Sequence, residues 1–128
     1  MELESLIKKV IQCVYNVRLQ LSSGFLETVY QKALLIELSK QNIQAEAEVP
    51  VDVYYDDSVV GEYRADIVVE KKIILEIKAI QHLLPVHEAQ LVNYLTATKI
   101  DCSLLINFGG ERLEIKRKYR TYKKTLEK

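Results

Sequence analysis

Two acids and one amine lie close together in the middle of the sequence, in segments that read as β-strands. Asp66 falls in residues 59–69, whereas Glu76 and Lys78 stand two residues apart in residues 72–80. Side chains at positions i and i+2 of a strand point to the same face, so Glu76 and Lys78 share a face. Two carboxylates facing each other across strands repel, at roughly 0.2–1 kcal/mol on a solvated face. A divalent cation would offset this repulsion, because hard ions such as Mg²⁺ prefer carboxylate and carbonyl oxygens.

The position of Asp66 relative to Glu76 depends on the hairpin that joins the two strands. A three-residue loop centred on Lys71 places Asp66 directly opposite Glu76, and Arg64 opposite Lys78. A loop centred between two residues would place the acids on opposite faces instead. The alternation of the apolar residues favours the first register. It leaves the four charged residues on one face and assigns the other face to Tyr63, Ala65, Ile67, Val69, Ile73, Leu75, Ile77 and Ala79.

An alternative interpretation of these residues involves no reaction. Lys78 would neutralise Asp66 or Glu76 in a salt-bridged polar face, and Arg64 would pair with Asp66 and not with a phosphate. Exposed ion pairs contribute little to stability, and the pattern E-x-K on a strand is common by chance. The acid pair and the lysine on their own favour this alternative.

Two predicted helices carry further polar residues at helical spacing. The second helix opens with the motif G-x-x-E-x-x-Y at residues 24–30, in which Glu27 and Tyr30 share a face. A later helix carries Q-x-x-x-Y, in which Gln90 and Tyr94 lie one turn apart. Taken singly, Glu27 is explained by the preference of the first helical turn for acids. Gln90 and Tyr94 are explained as an exposed glutamine beside a half-buried tyrosine.

The elements that would position these residues follow from the period of the apolar side chains. Helical spacing predicts three helices, at residues 2–21, 25–40 and 86–98. Alternation and turn residues predict five strands, at residues 45–55, 59–69, 72–80, 103–107 and 112–116. Pro50 favours an edge position for the first strand. The order ααβββαββ predicts an α/β sandwich, in which helices flank a central mixed sheet built from a three-stranded meander and a parallel crossover.

Composition gives few further constraints. The chain has 128 residues, with 48% hydrophobic and 28% charged residues and no net charge, which is typical of a soluble globular domain. We predict one domain over residues 1–118 and a basic tail over residues 119–128. Residues 111–128 contain eight basic and three acidic residues, as expected either for a solvated terminus or for a segment that attracts phosphate.

Location and redox state are predicted from what the sequence contains. It shows no secretory signal and no apolar run near the ~18 residues of a membrane span. Cys13 and Cys102 lie far apart without metal-ligand spacing. We therefore expect a cytoplasmic protein with reduced cysteines and no membrane partner.

Together, these motifs resemble those of the GxxExxY family in the PD-(D/E)XK nuclease superfamily. The resemblance covers about residues 3–118, and Ala65 replaces the proline of the superfamily motif. The matching segments are residues 24–30, Arg64-Ala65-Asp66, Glu76-Ile77-Lys78, Gln90-x-x-x-Tyr94 and Leu105-Ile106-Asn107-Phe108-Gly109. The resemblance implies a restriction-endonuclease-like fold. It also implies a metal-dependent nuclease that hydrolyses phosphodiester bonds, with DNA favoured over RNA.

The resemblance further implies a role for each motif residue. Lys78 would orient or deprotonate the attacking water, and Gln90 would hold Lys78 or that water in place. The implied ligands of a Mg²⁺ or Mn²⁺ ion are Asp66, Glu76, the backbone carbonyl of Ile77 and, directly or through water, Glu27. The implied substrate contacts are Arg64, Tyr94 and Tyr30.

Two other functions are compatible with the same residues. A catalytically silent relative would bind nucleic acid or a protein through the same cleft. A structural interaction protein would carry only a salt-bridged face. A homodimer, which the sequence does not reveal, would bring two clefts and two basic tails together.

Overall fold

The computed structural model describes residues 1–121, which form three helices and a five-stranded sheet. In chain order the elements are α1 (Leu3–Gln20), α2 (Glu27–Lys40), β1 (Ala45–Tyr55), β2 (Ser58–Val69), β3 (Ile73–Lys78), α3 (Pro85–Thr98), β4 (Cys102–Asn107) and β5 (Glu114–Tyr119). This order confirms the predicted α/β class and ααβββαββ arrangement. Strand β5 continues to Tyr119, inside the predicted tail. The last part of that tail, residues 122–128, lies outside the described residues.

The sheet is mixed, as predicted. Its strand order is β1-β2-β3-β4-β5, and β1 is an edge strand, which accommodates Pro50 because proline has no N–H for a second neighbour. The first three strands form an antiparallel meander. Strands β3 and β4 are parallel, joined by the crossover through α3, and β5 pairs antiparallel with β4.

The hairpin between β2 and β3 has the predicted register. Its pairs are Ile67 with Leu75, Val68 with Ile74, and Val69 with Ile73, so the turn is centred on Lys71. Glu70 and Lys71 adopt the left-handed conformation, at φ 51° and 57°. The pairing stops at Ile67 and Leu75. Beyond that pair β2 and β3 separate, and Arg64 pairs only with Pro50 of β1.

The two faces of the sheet carry separate hydrophobic cores. Helices α1 and α2 cover the helix-pair core, which includes Ile67, Val69 and Leu75. Helix α3 covers the second core, the α3 core, through Leu91 and Leu95. The predicted face of the β3 residues is correct, since Ile73, Leu75 and Ile77 all lie in the helix-pair core.

The predicted face of Tyr63 and Ala65 is wrong. Both side chains pack in the α3 core, whereas Ile67 lies on the opposite side of the sheet. Alternation then turns Arg64, which stands between them, away from the face of Glu76 and Lys78, so its predicted place on that face is also wrong.

The alternation fails because the β1–β2 ribbon changes face at Glu48, which has φ 54° and does not pair with Asp66, although the register is the same on both sides of it. On β1 the same change moves Val49 to the α3 core, although Ala45 packs against the helix-pair core.

No helix within residues 1–121 is long and apolar enough to cross a bilayer. Cys13 and Cys102 are both buried and both unbridged. Burial raises the pKa of each thiol, which keeps the reactive thiolate scarce at neutral pH.

Candidate active site

Asp66 and Glu76 meet where β2 and β3 separate. The main-chain nitrogen of Asp66 donates a hydrogen bond to Glu76 Oε1 at 3.2 Å. The main-chain nitrogen of Ile77 donates to Asp66 Oδ2 at 2.7 Å. In a continuous sheet, these two main-chain N–H groups would donate to main-chain carbonyls of the neighbouring strand. Here the carboxylates of Glu76 and Asp66 accept those hydrogen bonds instead, so both acids lie at the opening between the strands.

The main chain of Ile77 faces the same opening. Within a strand, the N–H and C=O of one residue point to the same neighbour, and successive residues alternate. The carbonyl of Lys78 accepts a hydrogen bond from the nitrogen of Phe108 at 2.9 Å, so Lys78 faces β4. Ile77 therefore faces β2, as its hydrogen bond to Asp66 also shows. Its carbonyl oxygen is directed toward the acid pair.

Glu76 is the most strongly perturbed acid of the site. Glu76 is 9% exposed, and its pKa is raised to about 7, chiefly by burial. The nearby charge of Asp66 contributes to this rise, whereas hydrogen bonds from Tyr63 and Asp66 and the charge of Lys78 oppose it. The Tyr63 hydroxyl donates a hydrogen bond to Glu76 Oε1. Burial, followed by the charge of Glu76, raises the pKa of Tyr63, so this hydroxyl keeps its proton.

Asp66 lies in a wider field of acids. Burial raises its pKa, and the hydrogen bond from Ile77 opposes that rise. The charges of Glu27 and Glu48 raise the pKa further. Glu27 is exposed as the first residue of α2, so it approaches the site from the side of the helix pair. These four acids concentrate negative charge at the opening, which favours a cation.

Each acid of the central pair has one oxygen without a hydrogen bond from residues 1–121. These atoms are Glu76 Oε2 and Asp66 Oδ1, because the donors described above contact Oε1 and Oδ2. Mg²⁺ is commonly held by one or two carboxylates together with substrate oxygens. The pair and the Ile77 carbonyl fit that donor set. No group of three or more His, Cys, Asp or Glu side chains within residues 1–121 is arranged to hold a metal ion by itself.

Lys78 lies beside the acids without bonding to them. Its half-buried side chain forms no hydrogen bond and no ion pair with another described residue. Its positive charge nevertheless lowers the pKa of both Asp66 and Glu76. The salt-bridged arrangement, in which Lys78 pairs with one acid, is therefore not formed here. The amine remains available for another partner.

Three other predicted residues, Arg64, Gln90 and Tyr94, form no hydrogen bond or ion pair with Asp66, Glu76 or Lys78 in the part of the chain that the structure describes. Arg64 is exposed and forms no ion pair with Asp66. Gln90 is exposed on α3 and forms no hydrogen bond with Lys78 among the described residues. Tyr94 is half-buried, and its ring stacks on the ring of Tyr63 with centroids 3.5 Å apart.

Tyr30 has a structural position in place of the predicted substrate contact. Its side chain is fully buried, and its ring stacks on Phe108 with centroids 4.6 Å apart. Its hydroxyl donates to the carbonyl of Ser22 at 2.6 Å and accepts from the nitrogen of Phe25 at 3.2 Å. Because these contacts use the whole side chain, Tyr30 fixes the loop that precedes Glu27 and is not proposed as a substrate contact.

Sequence reasoning missed two side chains that support the acids. Tyr63 was assigned to the opposite face, for the reason given above. Gln31 is buried, and its Nε2 donates to Glu48 Oε1 at 3.0 Å and to the carbonyl of Asp66 at 2.8 Å. Gln31 stands four residues after Glu27 and therefore shares its face of α2, and this spacing could have identified Gln31 as a neighbour of the site.

The Leu105–Gly109 motif fixes the segment that follows Lys78. The buried Asn107 side chain accepts hydrogen bonds from the nitrogens of Ile80 and Gly109, both at 3.0 Å. Its amide donates to the carbonyl of Ile80 at 2.9 Å and to Glu114 at 3.0 Å. Gly109 packs so closely that an added Cβ would lie 2.3 Å from the nitrogen of Ile80.

The fold and the site together define a restriction-endonuclease-like α/β domain with an acid pair and a lysine at a strand opening. A family model of the PD-(D/E)XK nuclease superfamily matches residues 4–118, and the chain belongs to that superfamily. A solved structure described as "Crystal structure of SSO0001" matches 75% of this chain with a TM-score of 0.60 and 23% identity. The match spans half of that protein's chain, and at this identity it shows the fold alone. A search of curated proteins finds no match.

Proposed function

We propose that the protein is a metal-dependent nuclease of the GxxExxY family that hydrolyses phosphodiester bonds of DNA. One observation carries this proposal: Asp66 and Glu76 each present an oxygen without a hydrogen-bond donor at one opening of the sheet, beside an unpaired Lys78. Members of the superfamily are usually nucleases and typically use divalent metals. RNA is the alternative substrate.

The proposed metal ligands are the acid pair and the carbonyl of Ile77. The ion would be Mg²⁺ or Mn²⁺, and Glu27, exposed at the start of α2, would act as a further ligand directly or through water. When bound, such an ion lowers the pKa of a coordinated water and offsets charge on the phosphate.

Lys78 would supply the remaining chemistry from this chain. Its ammonium lies close enough to shift the pKa of both acids and is not held by either. It would orient the attacking water or accept its proton, and would stabilise charge on the phosphate. Gln90 would contact Lys78 or the water once substrate is bound, since neither group is hydrogen-bonded to the other here. Arg64 and Tyr94 are the proposed contacts to the substrate backbone.

Net charge, oligomeric state and cellular location bear on how such a nuclease would meet its substrate. A chain without net charge attracts nucleic acid weakly as a monomer, whereas a homodimer would present two sites and two basic segments. Part of the basic segment already has partners, because Arg117 pairs with Glu4 and Lys118 with Glu88. Buried, unbridged cysteines are consistent with the cytoplasm.

A thermal-shift titration with Mn²⁺ followed by a cleavage assay tests the proposal. Mn²⁺ should raise the Tm of the wild type and not that of Asp66→Ala, because only the folded site binds the ion. Asp52→Ala is the matched control, since it removes an exposed aspartate from β1, the strand that pairs with the strand of Asp66. Absence of a Tm shift in the wild type would refute the metal site.

Cleavage then separates an enzyme from a binding protein. Labelled duplex DNA, single-stranded DNA, a branched junction and RNA are incubated with Mn²⁺. Wild type should cut at least one DNA, and Lys78→Ala should cut none.

A second candidate, a catalytically silent module that binds nucleic acid or protein, is favoured by the lack of three clustered metal-ligand side chains within residues 1–121. Binding of substrate without cleavage, whether or not Mn²⁺ binds, would establish this second candidate.

A further inference from the structure

We infer that Tyr63 is a positioning residue for Glu76, and that Tyr94 acts on the metal site through Tyr63. The inference rests on the proposed function, because it concerns how Glu76 is presented to the cation. It assigns a role to a residue outside the sequence motifs. It also gives the tyrosine of the Q-x-x-x-Y motif a role that requires no contact with substrate.

The first observation is the arrangement of donors around Glu76. Its Oε1 accepts hydrogen bonds from two groups at once, the hydroxyl of Tyr63 and the main-chain nitrogen of Asp66. Its Oε2 accepts none from residues 1–121. With two donors on one oxygen, the carboxylate cannot rotate without breaking both bonds. Oε2 is therefore held in one position, where it can serve as a metal ligand.

The second observation is the immobilisation of Tyr63 itself. Its side chain is 8% exposed, and it lies in the α3 core because the β1–β2 ribbon changes face beside Glu48. The ring stacks on Tyr94 at 3.5 Å with an interplanar angle of 11°. Tyr94 is in turn fixed on α3 next to the buried Leu95. A continuous chain of contacts thus runs from α3 through two rings to Glu76.

Contacts that orient a metal ligand are known to change the affinity of a site for its metal. Partners that orient a metal ligand without touching the metal typically change its affinity about 10–100-fold. A tyrosine that only fills the core would change protein stability and leave the affinity of the folded protein for metal unaltered. The two roles are therefore separable by measuring binding and stability on the same variants.

Tyr63→Phe is the informative variant, because it removes the hydroxyl and keeps the ring stacked on Tyr94. Mn²⁺ binding is measured by isothermal titration calorimetry and by the decrease of the electron paramagnetic resonance signal of free Mn²⁺. We expect the Kd for Mn²⁺ to rise by about tenfold or more. The Mn²⁺ concentration for half-maximal cleavage should rise in parallel, whereas the rate at saturating Mn²⁺ should stay within about threefold of wild type.

Two further sets of variants complete the test. Ser103→Ala removes another buried hydroxyl, one that donates to the carbonyl of Lys118 at 3.2 Å, and should leave the Kd unchanged. Tyr94→Phe keeps the stack and should also leave the Kd unchanged. Tyr94→Leu removes the stack and should raise the Kd. Tyr94→Leu also provides an independent measurement if Tyr63→Phe does not fold.

The outcomes distinguish this inference from the function on which it rests. If wild type does not bind Mn²⁺, the proposed function and the inference both fail. If wild type binds Mn²⁺ and Tyr63→Phe or Tyr94→Leu binds it equally well, only the inference fails. A loss of stability without a change in Kd would assign Tyr63 to the core.

Discussion

The carboxylate of Glu76 accepts a hydrogen bond from the main-chain nitrogen of Asp66 at 3.2 Å, at the point where β2 and β3 stop pairing. The carboxylate of Asp66 accepts the reciprocal bond from Ile77, the residue after Glu76. Each acid is thus held by the main chain of the other strand. Burial raises the pKa of both carboxyls, so the arrangement opposes their charging. The charge of Asp66 also raises the pKa of Glu76, and the charges of Glu27 and Glu48 raise that of Asp66. A bound cation would reverse that preference.

The raised pKa of Glu76 predicts how stability depends on pH without metal. Between its ordinary value of 4.5 and about 7, the folded state binds more protons at Glu76 than the unfolded state does. The free energy of unfolding should therefore fall as pH rises through this interval, by on the order of 3 kcal/mol from Glu76 alone. Urea unfolding in EDTA between about pH 5 and about pH 8 measures this slope.

Glu76→Gln removes the titration and should flatten the slope and stabilise the apoprotein at the higher pH. Glu62→Gln is the control, because Glu62 is exposed on β2 and its loss should leave the slope unchanged. Asp66 titrates in both proteins, so part of the slope should remain in Glu76→Gln. An identical slope in wild type and Glu76→Gln would contradict the assignment.

Removal of the Lys78 charge should have opposite effects on binding and on cleavage. The positive charge of Lys78 repels a cation bound to the acid pair, so Lys78→Met should tighten Mn²⁺ binding by roughly two- to tenfold. Binding is measured at about pH 8.5, where few protons compete with Mn²⁺ for the two carboxylates. Cleavage should be lost. Calorimetry and a cleavage assay on the same preparation measure the two effects.

The matched control for Lys78→Met is Lys116→Met, which removes an exposed lysine of β5. It should alter neither Mn²⁺ affinity nor the catalytic rate. Weaker Mn²⁺ binding in Lys78→Met would mean that the amine holds the acids in place, as the salt-bridged alternative requires.

Gly109 should tolerate no side chain. An alanine Cβ there would lie 2.3 Å from the nitrogen of Ile80 and 2.4 Å from the carbonyl carbon of Ala79, so the main chain after β3 would have to move. We expect Gly109→Ala to lower the free energy of unfolding by about 2–4 kcal/mol. At Gly61 an added Cβ lies 3.8 Å from the Cβ of Val53, an ordinary contact. Gly61→Ala should therefore change stability by less than about 1 kcal/mol in the same urea experiment.

Arg18 should stabilise the loop that follows β4. Its guanidinium donates to the carbonyls of Phe108 at 2.6 Å, and of Gly110 and Glu111 at 2.8 Å. Arg18→Ala leaves these carbonyls without their donor and should cost about 2–4 kcal/mol of stability. Arg112→Ala, which removes an exposed arginine of the same loop, should cost less than about 0.5 kcal/mol. Equal losses in the two variants would refute this role of Arg18.

The local pattern of the sequence was sufficient for the element order and for the register of the central hairpin. Turn position and alternation depend on neighbouring residues, so the hairpin centred on Lys71 could be predicted and the structure confirms it. The edge position of Pro50 follows from the missing N–H of proline, and the parallel β3–β4 pair follows from the intervening helix. The proximity of Asp66, Glu76 and Lys78 is a consequence of that register.

Only the tertiary structure decided which side chains surround the acids. The β1–β2 ribbon changes face beside Glu48, and this moves Tyr63 against Glu76 although simple alternation assigns it to the other face. Tyr30 became a buried support because Phe108, distant in sequence, stacks on it. Arg18 reaches a loop 90 residues away in sequence. Such contacts depend on how whole elements pack, whereas the period of a single segment reports only on its own neighbours.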